Sequence, residues 1–523
     1  MQHATRSAAL AAAFLALISA AILFACAWRA PFNVLDEGYL YYIGWQVGRG
    51  AVPFRDIELF TYAPGLFYLW AGWFELVGLD IVAARGLSVL LGVANVLLAW
   101  RVAVVLGMRP LPALLVGLVE LVCYPDIIRG HLLIVTLAGM LAVLHLCAAD
   151  GRRSRTLLML CGSIVALGLA VRIDAALTVL VAVMTALVTR WMRHRRLAGL
   201  ASDMLVFVAS LVVAMGLLFA VFALAGVAQG WRDQLLGFAG FAANRSVAWY
   251  KLPFPWFEGG LGSDLTTVLM LGCVAITVGT MVAALLAWRA GDAHRRQALA
   301  VLAVFAVMNL PQFLIERPDR AHLGDHIYVF ILAAAGLIVF RGLWPARFRP
   351  VVTFGIALWV GLVLVWIPPK EGTMLGNGLA AHRDVLVEGR RVPMEVGPRT
   401  DLFEATQRLT RGERRLGAVP FMPGYNFLLR MTLPSRQVVF DPYTVARPAS
   451  VQEFVKGLSS PELDHLVLAP DFGLGGYGSR LVCYAPGVAR FIERNFSVEA
   501  ETAAGQLLRK GGTMRLARGG CTR

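Results

Sequence analysis

Long apolar runs dominate the chain up to about residue 367 and stop abruptly there. Crossing a bilayer takes roughly 17 to 25 predominantly apolar residues, and runs of that kind lie near 7–28, 81–106, 111–125, 131–149, 156–171, 174–192, 204–228, 265–288, 297–315, 325–341 and 350–367. The pattern therefore predicts about eleven transmembrane helices, with 111–125 and 156–171 the shortest. The first run exceeds the roughly 7 to 15 residues of a signal-peptide core and reads as a retained helix, although Ala25 and Ala27 mimic a cleavage site. Two polar segments, 29–80 and 229–264, are long and rich in aromatics. The rings from Tyr39 to Trp45 and from Tyr62 to Phe74 predict two juxtamembrane helices at headgroup level, where amphipathic rings prefer to sit.

From residue 368 prolines, charges and short apolar runs take over, predicting a water-facing domain over 368–523 beside a membrane domain over 1–367. Strands are expected at Arg436–Phe440, Leu463–Leu468 and Gln506–Arg509, and helices at Asp401–Leu409 and Val488–Arg494, which makes a small C-terminal α/β unit.

Composition agrees with the pattern. The 523 residues are 58% hydrophobic and 15% charged, against about 25% charged in soluble domains. The net charge of +15 would suggest nucleic acid in a soluble protein, but its placement speaks for topology and against a nucleic-acid partner. With the N-terminus inside, the inside loops collect Arg6, Arg109, Arg152, Arg153, Arg155, Arg190, Arg193, Arg195, Arg196, Arg289, Arg295, Arg296, Arg341, Arg347 and Arg349 against Asp150, Asp203 and Asp292, as the positive-inside rule requires. The outside loops hold the acids Asp36, Glu37, Asp56, Glu58, Asp126, Asp174, Asp233, Glu258, Glu316 and Asp319, which topology does not explain. The seven cysteines show no CxxC spacing, and Cys483 and Cys521 are left as a disulfide pair or two free thiols.

Leu35-Asp36-Glu37-Gly38-Tyr39 is the sharpest local feature, because adjacent carboxylates beside a bilayer are costly unless solvated, paired or functional. It reads either as a solvated loop or as a general base or metal ligand working at the membrane surface. Gly473-Leu474-Gly475-Gly476-Tyr477-Gly478 matches GxGxxG, but no convincing helix follows it and it reads as a surface loop.

Asp36-Glu37-Gly38-Tyr39, Gly48-Arg49-Gly50, Pro53-Phe54-Arg55-Asp56, Tyr62-Ala63-Pro64-Gly65 with Phe67-Tyr68, and Ala84-Arg85-Gly86-Leu87-Ser88 occur in one order that resembles the N-terminal signature of the GT-C glycosyltransferases. The pattern is most similar to protein mannosyltransferases, the aminoarabinose transferase of lipid A and lipopolysaccharide-core galacturonosyltransferases. It is strong over residues 30–106, rests on topology over 107–367, and is faint beyond.

The resemblance implies a GT-C fold and an inverting transfer of a sugar from a polyprenyl-phosphate donor to a glycan, lipid or protein acceptor outside the cytoplasm. It makes Asp36 the acid that activates the acceptor hydroxyl, with Glu37 following it in a role left open. Some members need a divalent metal and others do not, so Mg or Mn held by Asp36 and Glu37 stays an open expectation. A departing lipid phosphate needs cations to offset its charge, and the topology places Arg49, Arg55, Arg85, Arg129, Arg172, Arg245, Lys251, Arg317 and Arg320 at outside helix ends. Candidate donor-binding residues are Arg55, Asp56, Tyr62, Arg85, Arg172, Asp174, Arg245, Lys251, Arg317, Arg320 and His322; for Arg172 with Asp174 an ion pair competes with the phosphate role, and for the 316–322 loop plain solvation does. The segment Phe421–Phe427, containing Pro423-Gly424-Tyr425-Asn426, is expected by analogy to cover the site or bind acceptor. The rival readings are a lipid or solute transporter, disfavoured because neither paired repeats nor mid-span charges are visible, and a non-catalytic scaffold that binds envelope glycan.

Overall fold

A computed structural model describes the backbone of all residues except 1, 60–61, 126–128, 195–196, 248–253, 258–259, 369–372, 446, 470–479 and 517–523; side chains are described except at these and at 2–6, 132, 194, 239–247, 316 and 442–443. Among the described residues nine helices are long and apolar enough to cross a bilayer: Ser7–Arg29, Ile81–Val105, Gly151–Val171, Ile173–Arg193, Leu197–Leu224, Leu261–Arg289, Ala293–Ile315, Arg320–Val339 and Ala346–Trp366. Two shorter apolar helices, Pro110–Val122 and Leu133–Cys147, occupy the third and fourth places. The order is that of the eleven runs. The third helix has 13 residues, about 20 Å against a hydrocarbon core of about 30 Å. The fifth is longer than its apolar run, because the helix starts at Gly151 and takes in Arg152, Arg153 and Arg155, whose stems let the charge reach water from a helix end.

The chain folds as two compact units. The first comprises residues 1–28, 85–224 and 252–379 and contains the spanning helices. Helices there approach closely where a side chain is missing: a Cβ on Gly162 would lie 2.9 Å from the Leu211 backbone nitrogen and 3.0 Å from the Phe207 carbonyl, the small-residue contact that van der Waals packing in membranes favours. Helix Arg320–Val339 is the most buried of the nine. Helix Ala293–Pro311 loses its regular ladder at Pro311, which has no N–H, and continues as a π-helical turn over Gln312–Glu316.

The second unit comprises residues 29–84, 225–251 and 380–523, so the first loop and the segment at 225–251 cluster with the C-terminal residues. The two helices expected in the first loop are Asp36–Gly48 and Pro64–Val77. Their rings form a core instead of lying against lipid: Tyr41 and Phe67 are fully buried, and Tyr41 packs 4.8 Å from Trp70 and 5.5 Å from Phe427, centroid to centroid. An antiparallel hairpin pairs β1 (His382–Val387) with β2 (Arg390–Glu395) across Glu388 and Gly389, whose φ of 49° and 78° are those of a two-residue type I′ turn.

A four-stranded sheet runs in the order β3 (Gly417–Val419), β4 (His465–Leu468), β6 (Gly505–Lys510), β5 (Phe496–Thr502), with β3 and β4 parallel and the other pairs antiparallel. Helices Pro398–Leu409 and Pro486–Asn495 lie where helices were expected. Arg436–Phe440 is not a strand; only Gln437 bridges, to Glu58. Pro434 and Pro442 flank the run and withdraw ladder donors at both ends, so Val438 and Phe440 are buried from an irregular backbone. Gly473–Gly478 lies outside the described residues. Cys483 is disulfide-bonded, while Cys521 also lies outside the described residues.

Asp441 is buried in this unit, where it accepts from the Thr444 N–H and hydroxyl, both at 2.7 Å. Burial pushes its carboxyl up to about 6, against the opposing pull of Thr444 and Arg447. The folded chain thus holds this proton more tightly than the unfolded one, so the acid's contribution is most favourable below about pH 4 and is lost as pH rises through about 6. Asp441→Asn can keep the contacts to Thr444 without the buried charge. It is expected to slow hydrogen exchange over residues 441–458 at pH 7.5, by about 1–3 kcal/mol of opening free energy, and to match the parent below about pH 4.

Candidate active site

Asn33 organises the first-loop acids. Its Oδ1 accepts the N–H groups of Leu35 at 2.9 Å and Asp36 at 3.1 Å, and Glu37 Oε2 accepts the Asn33 N–H at 3.1 Å. This exchange satisfies donors at the start of helix Asp36–Gly48 in the manner of a capping box. The two acids consequently separate: Glu37 is buried with one oxygen on the backbone, and Asp36 stays partly exposed at the first turn. Consecutive helical side chains point about 100° apart, and among the described residues no three His, Cys, Asp or Glu side chains converge to hold a metal.

The start of that helix is fixed from the C-terminal part of the same unit. Gly424 donates its N–H to the Val34 carbonyl at 2.9 Å, and Gly38 lies so close to Gly424 that a Cβ on it would stand 2.5 Å from the Gly424 nitrogen. The segment expected to cover the site is thus the seat of the Asp36 turn. Further along the loop, Arg447 pairs with Glu58 and Arg436 donates to the Phe54 carbonyl at 3.3 Å. Arg55 makes a bidentate bond to Asp56, at 2.9 and 2.8 Å, on the surface. The Arg55 bond and the Val52 N–H hold the Asp56 carboxyl below its usual range. Tyr62 stands 6.2 Å from Tyr39 and 6.4 Å from Phe67, ring to ring.

Arg129, Arg172, Arg317 and His322 belong to the first unit, where Asp325, Asp174 and Asp319 hold them. Arg172 is the one residue between helices Gly151–Val171 and Ile173–His194 and has extended backbone angles. Its Nε donates to Asp174 Oδ1 at 2.5 Å, and Gln312 from the π-helical turn reaches Asp174 Oδ2 at 3.3 Å. Arg129 pairs with Asp325. Asp319 caps helix Arg320–Val339 by accepting the His322 N–H at 2.9 Å, and it also receives His322 Nδ1 at 2.8 Å and Arg317 Nε at 3.3 Å. Burial alone would raise the Asp319 carboxyl; His322 and Arg317 outweigh it and bring it down to about 2. These groups form one electrostatic cluster, since Arg129, His322, Asp319 and Arg172 all act on Asp325. It is neither solvated nor sealed: the Arg172, Arg317 and His322 side chains are 13%, 17% and 22% exposed. Such a cluster can exchange a carboxylate partner for an incoming anion without first ordering its guanidinium groups.

Arg85 and Arg320 make other contacts, and the side chains of two further candidates lie outside the described residues. Arg85 is fully buried and donates to the Ala27 carbonyl at 2.7 Å, a cation on the carboxyl end of the first helix. Arg320 stacks over Trp366 at 6.0 Å. The side chains of Arg245 and Lys251 lie outside the described residues.

Sequence reasoning missed Asp325, His326, Asn309 and Gln312. Asn309 Nδ2 donates to the Phe305 carbonyl at 2.8 Å, which turns its oxygen toward His326 Nδ1 at 2.7 Å. The available signal was polar residues within two apolar runs, which in a membrane are rarely idle.

No family model and no curated protein matches the sequence. In structure the chain is similar to ArnT from Cupriavidus metallidurans bound to undecaprenyl phosphate, with a TM-score of 0.57 and 15% identity over 95% of this chain and 97% of that one. The apo state of ArnT gives a TM-score of 0.49 at 14% identity, over 95% and 97% of the two chains. The first likeness establishes the fold: the chain is a polytopic α-helical membrane protein of GT-C architecture with a small C-terminal α/β region.

Proposed function

We propose that this protein is an inverting glycosyltransferase that moves a hexose or pentose from a polyprenyl-phosphate donor to a glycolipid, envelope glycan or protein on the outer face of a bacterial inner membrane. The observation that carries the reading is a GT-C fold matched over 95% of the chain to a protein crystallised with undecaprenyl phosphate. It is supported by Asp36, a partly exposed carboxylate on a braced helix start, and by the half-buried arginines of the bundle.

In the reaction the acceptor hydroxyl oxygen attacks the anomeric carbon from the face opposite the phosphate. The bond from that carbon to the phosphate oxygen breaks, and polyprenyl phosphate leaves with the electron pair. Asp36 takes the hydroxyl proton as general base. Arg172, Arg317 and His322 offset the charge on the leaving phosphate, with Asp174 and Asp319 keeping them aimed until it arrives. A transporter would bind the same lipid without cleaving it, and a scaffold would bind only glycan.

Mass spectrometry of envelope lipids and glycans from a deletion strain separates these readings. A prenyl-phosphate sugar that accumulates together with an acceptor one sugar short is the expected result. An unchanged acceptor pool in that strain would rule out the transferase.

A further inference from the structure

The bundle has a second charged end. Helix Gly151–Val171 has 21 residues and so separates Gly151 from the Arg172 turn by about 30 Å. A cleft of about 310 Å³ opens at the Gly151 end between this helix, helix Ile173–His194 and helix Leu197–Leu224, its polar wall made by Ser154, Arg155, Arg190, Trp191, Ser202 and Asp203. We propose that this cleft binds the phosphate of an anionic lipid headgroup, as a structural site independent of sugar transfer.

Four observations converge on an anion there. The Arg190 guanidinium is fixed by Ser154 Oγ, by Asp150 Oδ1 at 3.3 Å and by Asp203 Oδ2 at 3.8 Å, so both neighbouring carboxylates are already engaged. Arg155 lines the same cleft, is exposed, and has no ion-pair partner among the described residues; Arg152 and Arg153 stand beside it. The indole N–H of Trp191 is buried and meets no acceptor in the protein, although a buried donor normally has one. Gly151 begins a helix whose N-cap, Asp150, makes no side-chain capping bond, and Gly199, also in the cleft wall, is in the first turn of helix Leu197–Leu224. First-turn amides of two helices therefore add partial positive charge beside the guanidinium groups.

The surroundings favour a lipid over a free ion. Leu197 and Leu205 are 69% and 70% exposed, and along helix Leu197–Leu224 only Phe207 and Phe222 are buried. A phosphate seated in the cleft leaves its acyl chains lying along that bare face. Basic pockets between membrane helices recognise anionic headgroups through this combination of point charges and adjoining apolar surface.

Native mass spectrometry on the full-length protein tests this, with phosphatidylglycerol and phosphatidylcholine of matched chains as probes. Phosphatidylglycerol is expected to be retained at least roughly fivefold better, with that preference lost in Arg155→Gln and in Trp191→Phe while phosphatidylcholine retention stays the same. Arg155 is exposed, so its variant reports even where the tryptophan variant fails to fold. Equal retention of the two lipids, or an undiminished preference in Arg155→Gln, would overturn the site. Displacement of phosphatidylglycerol by excess inorganic phosphate would overturn its assignment to a lipid.

Discussion

Replacing Asp36 with asparagine is expected to lower sugar transfer by roughly two to four orders of magnitude while the protein still folds and inserts. The substitution keeps shape and one oxygen acceptor but removes the group that can take a proton. The bond from the Asp36 backbone N–H to Asn33 Oδ1 does not involve the carboxylate and stays in place. Glu37→Gln gives the contrast. Glu37 is buried with Oε2 on the Asn33 N–H, and glutamine retains that acceptor, so transfer should persist at a rate set by how well the turn is held. The measurement is turnover of a synthetic polyprenyl-phosphate sugar by protein in lipid vesicles, alongside a protease-protection assay of insertion. Near-parental turnover in the asparagine variant would strike Asp36 from the mechanism, and equal losses in both variants would mean that the turn, not the proton acceptor, had been damaged.

The residues that were legible in the sequence share a property: their role follows from neighbours in the chain. The spans could be read because each is a continuous apolar run, and the error at the fifth arose because three arginines near its start look like loop to a hydropathy pattern although the helix includes them. The Asp-Glu pair stood out for the same local reason. What could not be read depends on partners far along the chain. Arg129 meets Asp325 across 196 positions, and Gln312 meets Asp174 across 138. The Arg172–Asp174 pair, two residues apart, stood open in the sequence as an alternative to the phosphate role; its long-range partner Gln312 did not. The β1–β2 hairpin was missed although Glu388-Gly389 is a fair turn signal, because strands as charged as His382–Val387 and Arg390–Glu395 lack a clean apolar face. The first-loop aromatics were assigned to lipid because their buried partner, Phe427, lies some hundreds of residues downstream.

Gly424→Ala is expected to cost about 1–3 kcal/mol of stability and to reduce transfer beyond what that loss explains. A methyl group there would sit 2.6 Å from both Cα and the carbonyl oxygen of Val34. These are backbone atoms, so no side-chain rotation makes room, and the Val34 carbonyl is simultaneously the acceptor of the Gly424 N–H. The strain is relieved only by moving helix Pro423–Leu429 away from residues 34–38, and Asp36 lies inside that stretch. Gly38→Ala pushes on the same contact from the other side, with its Cβ 2.5 Å from the Gly424 nitrogen, so the double variant should cost less than the two single losses added together. Gly72→Ala is the control: it lies within helix Pro64–Val77 with nothing within 4 Å of the added carbon, and alanine there should be neutral or stabilise by about 0.5–1 kcal/mol. Thermal unfolding in detergent and turnover in vesicles read both effects. A Gly424→Ala protein that melts with the parent would mean that this close backbone contact does not hold the Asp36 turn, and the bracing assigned to the C-terminal segment would have to be withdrawn.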